Sequence, residues 1–210
     1  MIGAGPGIGG SVARRFASEG LPVALVARTT KTAHAVAETL APYGVATLIS
    51  TADVADEAAL VAALDAATAT FGVPEVVVYN AAIMQRDVPG ELSVQGHGAA
   101  WAVNVVGAIT AAAHVAQAMA QRGGGSFLIT GGMPEPDPQY TSLSLGKAGV
   151  RALVSLLDKQ YGPDGVHFAV VTVAGPVEPG TAFDPDAIAE HYWQLHRQPR
   201  GQWQREIVHC

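Results

Sequence analysis

The sequence alternates between short apolar runs and stretches of helical periodicity. The apolar runs are rich in β-branched residues, show no polar alternation and occupy positions 23–27, 46–49, 76–79, 126–130 and 168–174. Strands of this kind are typically buried on both faces of a parallel sheet. Between the runs, apolar residues recur at helical spacing, as in Val12 and Phe16. The alternation predicts an α/β fold with a doubly wound parallel sheet, helices on both faces and right-handed crossovers.

Length and composition are those of one globular domain. The chain has 210 residues, of which 49% are hydrophobic and 14% are charged. Apolar side chains are therefore numerous enough to fill a substantial core, and this composition excludes disorder for most of the chain. No low-complexity linker divides the sequence, so we predict that residues 1–210 form a single domain.

Charge and cysteine content argue against several kinds of partner. The formal net charge is -6 with no basic block, which is unlike a nucleic-acid-binding surface. Cys210 is the one cysteine, and no Cys/His cluster has the spacing of a zinc site, so we expect no metal. No uninterrupted apolar stretch reaches the roughly 20 residues of a membrane span. We expect a soluble cytoplasmic protein with no membrane partner.

Two longer helical patterns, at 98–121 and 143–160, are rich in alanine and carry few charges on their apolar faces. We expect them to pack against a partner subunit in a homodimer or homotetramer. The tail is predicted to contain a helix at 185–196 and a last strand at 205–208.

The beginning of the sequence is short for this fold. A doubly wound sheet needs a first strand of about five residues before its glycine loop. Only Met1 and Ile2 precede Gly3. We therefore expect the first strand to be truncated at the N-terminus.

A glycine-rich loop leads directly into the first predicted helix. Glycines at 3, 7 and 9 give the spacing G-x-x-x-G-x-G, and those at 5, 7 and 10 give G-x-G-x-x-G. Such glycines let the backbone approach a pyrophosphate, which the free N–H groups of the helix then bind. A flexible turn is the alternative, but the strand and helix pattern favours a Rossmann-type dinucleotide site with contacts at Gly3, Gly7, Ile8 and Gly9.

The end of the next strand bears on the choice of cofactor. An acidic residue there would bind the ribose of NAD or FAD, but the sequence has Ala27-Arg28-Thr29. A guanidinium matches a 2′-phosphate in charge and geometry, so Arg28 favours NADP(H) over NAD(H). A solvated charge at the end of a strand is the alternative.

Further motifs follow in the order in which they occur in the short-chain dehydrogenase/reductase family, which the sequence resembles over nearly its whole length. They are the Gly3/Gly7/Gly9 loop, Asp53-Val54, Asn80-Ala81-Ala82, Asn104, Lys147, and Pro176 with Thr181. The resemblance implies hydride transfer between a nicotinamide cofactor and a small carbonyl or alcohol substrate.

The resemblance also implies roles for these residues. The Asp53-Val54 pair would meet adenine, the Asn80-Ala81-Ala82 segment would support the central strand and the cofactor, and Pro176 and Thr181 would lie beside the nicotinamide. Lys147 would bind the cofactor ribose. Local roles are the alternatives, with Asp53 capping a helix, Asn80 satisfying loop backbone groups and Thr181 forming a turn.

The sequence departs from the family at the proton-transfer residue. The family places a tyrosine four residues before its lysine, but here that position holds Leu143, which can neither donate nor accept a proton. Ala82 also replaces a family glycine, and Pro6 occupies a loop position that often carries a basic residue in NADP-using members.

Four residues remain candidates for the catalytic role: Lys147, Asn104, Tyr140 and Thr130. Counting back from Leu143 places the family serine at Thr130, whereas anchoring on the predicted strand places it at Gly131 or Gly132. Tyr140 would share the face of Lys147 only if the helix began early. Asn104 could hold a water near Lys147 or produce a helix kink.

Three functions remain open. The first is an atypical short-chain oxidoreductase in which Lys147, Asn104, and Tyr140 or Thr130 handle protons. The second is a non-catalytic NADP(H)-binding sensor or scaffold. The third is a flavoprotein, because the start of the sequence, Ile2-Gly3-Ala4-Gly5-Pro6, also resembles FAD-binding segments.

Overall fold

A computed structural model describes residues 1–210. The helices are α1 (Ile8–Ala17), α2 (Thr30–Glu38), α3 (Glu57–Phe71), α4 (Val94–Trp101), α5 (Gly107–Arg122), α6 (Thr141–Tyr161) and α7 (Pro185–His196). The strands are β1 (Val23–Ala27), β2 (Thr47–Thr51), β3 (Val76–Tyr79), β4 (Gly125–Thr130), β5 (Val166–Val173) and β6 (Glu206–His209). A π-helix at Ala102–Val106 joins α4 to α5. Short 3₁₀ helices occupy Ala41–Tyr43 and Gly162–Asp164.

All strand pairs are parallel. The strands form the orders β1-β2 and β3-β4-β5-β6, and Ile2 bridges Val26 of β1 and Tyr79 of β3. The Ile2 N–H donates to the Val78 carbonyl (2.8 Å). The chain therefore runs outward in opposite directions from Ile2, which makes this the switch point of a doubly wound sheet. The predicted α/β fold is confirmed.

Apolar layers cover both faces of the sheet. Along β4, Phe127 and Ile129 pack into a cluster of 24 buried residues, which includes residues of α3, α5 and α6. Leu128 points to the other face and packs with Phe16 of α1 and Tyr192 of α7. This alternation follows from the two-residue period of a strand and explains why the run is continuously apolar.

Some element boundaries differ from the sequence prediction. The apolar run at 46–49 corresponds to β2, which extends further, to Thr51. Thr47 and Thr51, the two ends of this strand, are exposed because β2 is an edge strand that pairs only with β1. The pattern at 98–121 is not one regular helix, because the π-helix interrupts it.

One helical stretch, Val94–Arg122, has the length and apolar composition of a membrane span. Half of its most apolar window is buried inside the protein. Ala108, Ala111 and Val115 pack into the core cluster on one face of the sheet. The stretch therefore has the burial expected of a core helix.

Candidate active site

The glycine loop lies at the carboxyl ends of β1 and β3, beside the switch point. Gly3 has a φ of +82°, and a Cβ on it would lie 2.5 Å from the backbone nitrogen of Ala81. A Cβ on Gly9 would lie 2.5 Å from the Gly3 carbonyl oxygen. Both positions therefore require glycine, because the loop, the start of α1 and the end of β3 pack backbone to backbone.

The first turn of α1 has free hydrogen-bond donors. Gly7 is the N-cap and provides no side-chain cap. The N–H groups of Ile8 and Gly9 make no hydrogen bond within the chain. A Cβ on Gly5 or Gly7 would meet no atom within 4 Å, so the space in front of these donors is open. Free amides, the positive end of the helix dipole and open space fit a pyrophosphate.

Arg28 follows the last residue of β1 and is exposed. The structure shows no hydrogen bond or ion pair for its guanidinium group. Thr29 next to it caps α2, where its hydroxyl accepts from the Thr32 N–H (3.2 Å). The guanidinium is therefore free to bind an anion at this strand end.

Two further predicted cofactor segments border the crevice. After β2, Asp53 is exposed and accepts a hydrogen bond from the Ala55 N–H (2.9 Å), whereas Val54 is buried. After β3, the Asn80 amide donates to the Gly3 carbonyl (3.0 Å). Asn80 therefore ties the glycine loop to the end of β3. Ala81 and Ala82 are both partly buried behind it.

Thr130 is turned away from Lys147. Its hydroxyl donates to the Asn80 side-chain oxygen (2.8 Å) and lies 2.6 Å from the hydroxyl of Tyr192 on α7. Burial raises the pKa of Tyr192, which keeps its hydroxyl protonated as the donor to Thr130. The Thr130 hydroxyl is thus engaged on the α7 side of the sheet.

The position beside Lys147 is Gly132. A Cβ on Gly132 would lie 3.9 Å from Cε of Lys147 and 3.5 Å from the nearest other atom. This geometry favours the strand-based count for the family serine over the count from Leu143. Position 132 therefore provides no hydroxyl beside Lys147.

Lys147 is buried on α6 and reaches the end of β4. Its Nζ donates to the Thr130 carbonyl (2.6 Å). Burial, together with the charge of Arg151, lowers the pKa of Lys147 from 10.5 to about 8. Arg151 in turn donates to the carbonyls of Gly132 (2.9 Å) and Met133 (3.2 Å), and Met133 has a φ of 47°. Lys147 and Arg151, one turn apart on α6, thus bind the backbone at the end of β4 and in the loop that follows it.

The lowered pKa makes a prediction about stability. Below pH 8 Lys147 is charged in the folded and unfolded chain, so the full cost of burying the ammonium is present. Between pH 8 and about 10.5 folding releases a proton, so stability rises with pH. Without ligand, Lys147→Met should be more stable than the unaltered protein by about 2 kcal/mol at pH 7, and the difference should shrink by pH 10.

Urea denaturation at pH 7 and pH 10 measures this difference. Lys159→Met, at an exposed position near the end of α6, is the matched control and should show no such pH dependence. A difference between Lys147→Met and the unaltered protein that stays constant over this range would contradict the prediction.

The family tyrosine position is apolar in three dimensions as well. Leu143 is buried one turn before Lys147. Tyr140 is the N-cap of α6 and precedes its first turn, with its ring beneath the Arg86 guanidinium (5.9 Å). Because α6 begins at Thr141, Tyr140 does not share the helix face of Lys147. Ser144 is hydrogen-bonded to the backbone of Asp137.

Asn104 lies in the π-helix and is buried. Its side-chain oxygen accepts from the Ile83 N–H (2.8 Å), and its amide donates to the Ile83 carbonyl (3.3 Å). The Tyr79 hydroxyl donates to the Val103 carbonyl in the same turn (2.6 Å). These contacts tie the irregular turn to β3 and its loop, in agreement with the helix-kink role.

Asp87, which the sequence analysis did not identify, fixes the start of α6. Its buried carboxylate accepts hydrogen bonds from the Ser142 N–H (2.9 Å) and hydroxyl (3.0 Å). The loop after β3 thereby caps the helix that carries Leu143 and Lys147. Asp87 and Ser142 are 55 residues apart, and no local pattern links them. Arg151, by contrast, stands four residues after Lys147, a spacing that could have identified it.

Pro176 and Thr181 lie in the exposed loop after β5. The Thr181 hydroxyl donates to the Glu178 carbonyl (2.8 Å) and accepts from the Phe183 N–H (3.1 Å). This is the local turn that the sequence analysis kept as an alternative. The loop follows the carboxyl end of β5, so it lies at the same edge of the sheet as the glycine loop, the edge formed by the carboxyl ends of the strands.

Comparison with known proteins gives a consistent family. The family model for short chain dehydrogenase matches residues 1–184. An uncharacterized short-chain type dehydrogenase/reductase of Sinorhizobium fredii is 32% identical over 174 residues, which cover 79% of this chain and 68% of the relative. D-threitol dehydrogenase of Mycolicibacterium smegmatis is 28% identical over 174 residues, which cover 82% of this chain and 67% of that relative.

Solved structures agree over nearly the full length. An alcohol dehydrogenase from the archaeon Thermococcus sibiricus, complexed with 5-hydroxy-NADP, has a TM-score of 0.90 and 25% identity and covers 99% of this chain and 93% of its own. A metagenomic short-chain oxidoreductase in complex with NADP has a TM-score of 0.88 and 25% identity, with the same coverage. The predicted family is confirmed, and the chain belongs to the short-chain dehydrogenase family of oxidoreductases.

Proposed function

We propose that the protein binds NADP(H) at the glycine loop and acts as a short-chain oxidoreductase on a small carbonyl or alcohol. The observation that carries this proposal is the first turn of α1, where the unpaired N–H groups of Ile8 and Gly9 face open space beside the switch point. Bound NADP(H) would supply or accept the hydride. Family membership supports this reaction class, and no contact in the structure favours the flavoprotein alternative.

The residues that would hold the cofactor come from the loops after the strands, from the start of α1 and from α6. Gly3, Gly7, Ile8 and Gly9 would contact the pyrophosphate. The other contacts would come from Arg28, Asp53, Val54, Asn80, Ala81, Ala82, Lys147, Pro176 and Thr181. Asn80 would hold the glycine loop in position, because its amide nitrogen donates to the Gly3 carbonyl while its side-chain oxygen accepts from the Thr130 hydroxyl.

Proton transfer in this proposal depends on Lys147. With a pKa lowered to about 8, its Nζ is still charged near neutral pH but gives up its proton more readily than an exposed lysine. Leu143 cannot exchange a proton, and the Asn104 amide is already paired with the Ile83 backbone. Lys147 is therefore the group that would supply a proton to a developing alkoxide.

Arg28 would give the preference for NADP(H) over NAD(H). Its free guanidinium at the end of β1 fits a 2′-phosphate, and two similar solved structures contain NADP or 5-hydroxy-NADP. Arg28→Ala should weaken NADPH binding about tenfold, because one charge-assisted contact is lost, and should leave NADH binding unchanged. Fluorescence titration with both cofactors measures the two affinities.

Two controls separate this contact from general charge effects. Arg28→Lys keeps the charge and loses the planar fork, so it should bind NADPH with intermediate affinity. Arg205→Ala removes one exposed positive charge just before β6, at the sheet edge opposite β2, and should bind both cofactors as the unaltered protein does. Equal weakening of NADH and NADPH by Arg28→Ala would rule out the 2′-phosphate role.

A non-catalytic NADP(H)-binding sensor or scaffold is the second candidate. Specific observations favour it: Leu143 is buried at the tyrosine position, and Gly132 provides no hydroxyl beside Lys147. The two candidates share the cofactor site and differ in turnover. Steady-state assays of the purified protein over a panel of carbonyl compounds, with NADPH binding measured in parallel, distinguish them.

We also propose self-association through α6, in the reducing environment of the cytoplasm. Leu145 and Leu156 are large apolar side chains, 56% and 63% exposed, and their eleven-residue separation puts them on one face of the helix. Ile109 on α5 is likewise exposed. An apolar stripe of this kind is typical of a subunit interface, and sedimentation velocity measures the resulting mass.

A further inference from the structure

Three loops follow neighbouring strands at the edge of the sheet that holds the candidate active site. They are residues 80–93 after β3, residues 131–140 after β4 and residues 174–184 after β5. The three loops contain six acidic residues and one arginine, whereas the whole chain has a net charge of -6. Most of the excess negative charge of the protein therefore lies at this edge of the sheet.

Two of these acidic side chains are free to attract a cation. Glu135 and Glu178 are exposed, and the structure shows no hydrogen bond or ion pair for either carboxylate. They belong to the loops after β4 and β5. Charges of one sign around a crevice raise the local concentration of a small molecule of the opposite charge. The loops therefore favour a positively charged substrate.

The cations of the same region are engaged within the protein. Lys147 and Arg151 donate to backbone carbonyls at the end of β4 and in the loop that follows it. Arg86, the one basic residue of the three loops, donates to the Gln139 side chain and lies over the ring of Tyr140. These oxygen atoms and the ring partly offset the positive charges, so the unpaired charges of the three loops are carboxylates.

The groups around the position of the family tyrosine offer no proton apart from that of Lys147. Leu143 is buried and apolar, and Gly132 has no hydroxyl. The Thr130 hydroxyl is bonded on the α7 side of the sheet. A carbonyl that gains a hydride becomes an alkoxide and needs a proton from a general acid. An iminium ion, which carries a C=N⁺ bond, becomes a neutral amine and needs none.

We propose that this crevice binds and reduces an iminium ion. The proposal rests on the proposed NADP(H) site and adds a substrate class to carbonyls and alcohols. The iminium carbon accepts a hydride with its electron pair, the π pair of the C=N bond moves to nitrogen, and a reduced nicotinamide is oxidised. The substrate loses its positive charge in this step, so the protein supplies no proton. Glu135 and Glu178 attract the cation, and Leu143 keeps the position of the family tyrosine apolar.

The test uses the 210-residue protein and N-methyl-3,4-dihydroisoquinolinium as the probe. The nitrogen of this probe carries a methyl group in place of a proton, so its charge does not depend on loss of a proton. Isothermal titration calorimetry in the presence of saturating NADP⁺ measures binding without turnover. We expect saturable one-to-one binding.

Turnover of the probe is measured in saturating NADPH, with the rate in the absence of protein subtracted. We expect the probe to react about 100-fold faster than 1-tetralone, a neutral ketone on a similar bicyclic skeleton, because only the ketone requires a general acid. Lys147 loses its proton near pH 8. The rate with the probe should nevertheless change by less than about twofold between pH 7 and pH 9.

Charge variants test the part of the acidic loops. Glu135→Gln combined with Glu178→Gln should weaken binding of the probe about threefold at low ionic strength. The matched control combines Glu75→Gln with Asp164→Asn. It removes the same charge from exposed positions just before β3 and β5, at the opposite edge of the sheet, and should leave binding of the probe unchanged.

The outcomes separate this proposal from the proposed function. If the unaltered protein does not bind NADPH, the cofactor site itself is refuted. If NADPH binds, the iminium proposal alone is overturned by any of three results. These are failure of the probe to bind or to react faster than 1-tetralone, a rate with the probe that falls as Lys147 loses its proton, and equal binding of the probe by the two double variants.

Discussion

Replacing Gly9 by alanine is expected to weaken NADPH binding about 100-fold. The added Cβ would lie 2.5 Å from the Gly3 carbonyl oxygen and 3.2 Å from the Asn80 amide nitrogen. The backbone oxygen cannot move without displacing the loop, so α1 must shift and carry its free N–H groups away from the pyrophosphate. Fluorescence titration with NADPH measures the loss, and thermal unfolding reports how much the fold is affected.

Gly98→Ala is the matched control for this experiment. It makes the same chemical change at an exposed position of α4, outside the glycine loop, and its Cβ would meet no atom within 4 Å. We expect its affinity for NADPH to stay within about twofold of the unaltered protein. Equal affinities for Gly9→Ala and the unaltered protein, or no NADPH binding by the unaltered protein, would refute the proposed cofactor site.

Replacing Leu143 by tyrosine is expected to raise carbonyl reductase activity about 100-fold or more. The new phenol would stand one helical turn before Lys147, whose ammonium would stabilise the phenolate and lower the pKa of the phenol. Activity should then depend on pH through the new tyrosine. The measurement is the rate of NADPH oxidation over a panel of small aldehydes and ketones.

Companion variants make this result interpretable. Gln160→Tyr adds the same side chain to α6 at an exposed position near the end of the helix and should leave activity unchanged. Gly132→Ser combined with Leu143→Tyr should increase activity further, because the space at Gly132 can hold a serine beside Lys147. If the unaltered protein, the single variant and the double variant all show no activity over this panel while NADPH still binds, the non-catalytic candidate is favoured and the oxidoreductase proposal fails.

The strands and the glycine loop were predictable because their signals are local. A strand that is buried on both faces is apolar at successive positions, so it is visible as a continuous apolar run. The run at 126–130 corresponds to β4 at Gly125–Thr130. The glycine spacing likewise reflects a backbone requirement, since Gly3 has a positive φ and both Gly3 and Gly9 leave no room for a Cβ. Requirements of this kind are expressed in a few adjacent residues.

The interruption of the helix pattern at 98–121 was not predictable in the same way. No proline marks the π-helix at Ala102–Val106. Its contacts come from β3 and the following loop, where Tyr79 bonds to the Val103 carbonyl and Ile83 pairs with Asn104. The signal lies in residues more than twenty positions away, so periodicity within the helix does not show it.

The sequence by itself determined the alternating α/β order, the dinucleotide loop and the loss of the tyrosine at Leu143, since each is expressed in contiguous residues or short spacings. Only the tertiary structure decided which residue stands beside Lys147. One sequence count gave Thr130, and the other gave Gly131 or Gly132. In the folded chain the Thr130 side chain bonds to Tyr192 on the α7 side, while Lys147 reaches the strand end from α6. Strand alternation alone would put Thr130 and Gly132 on the same face, but β4 ends at Thr130. The path of the chain after the strand and the packing of α6 decide the position of Gly132, and a spacing of residues along the chain contains neither.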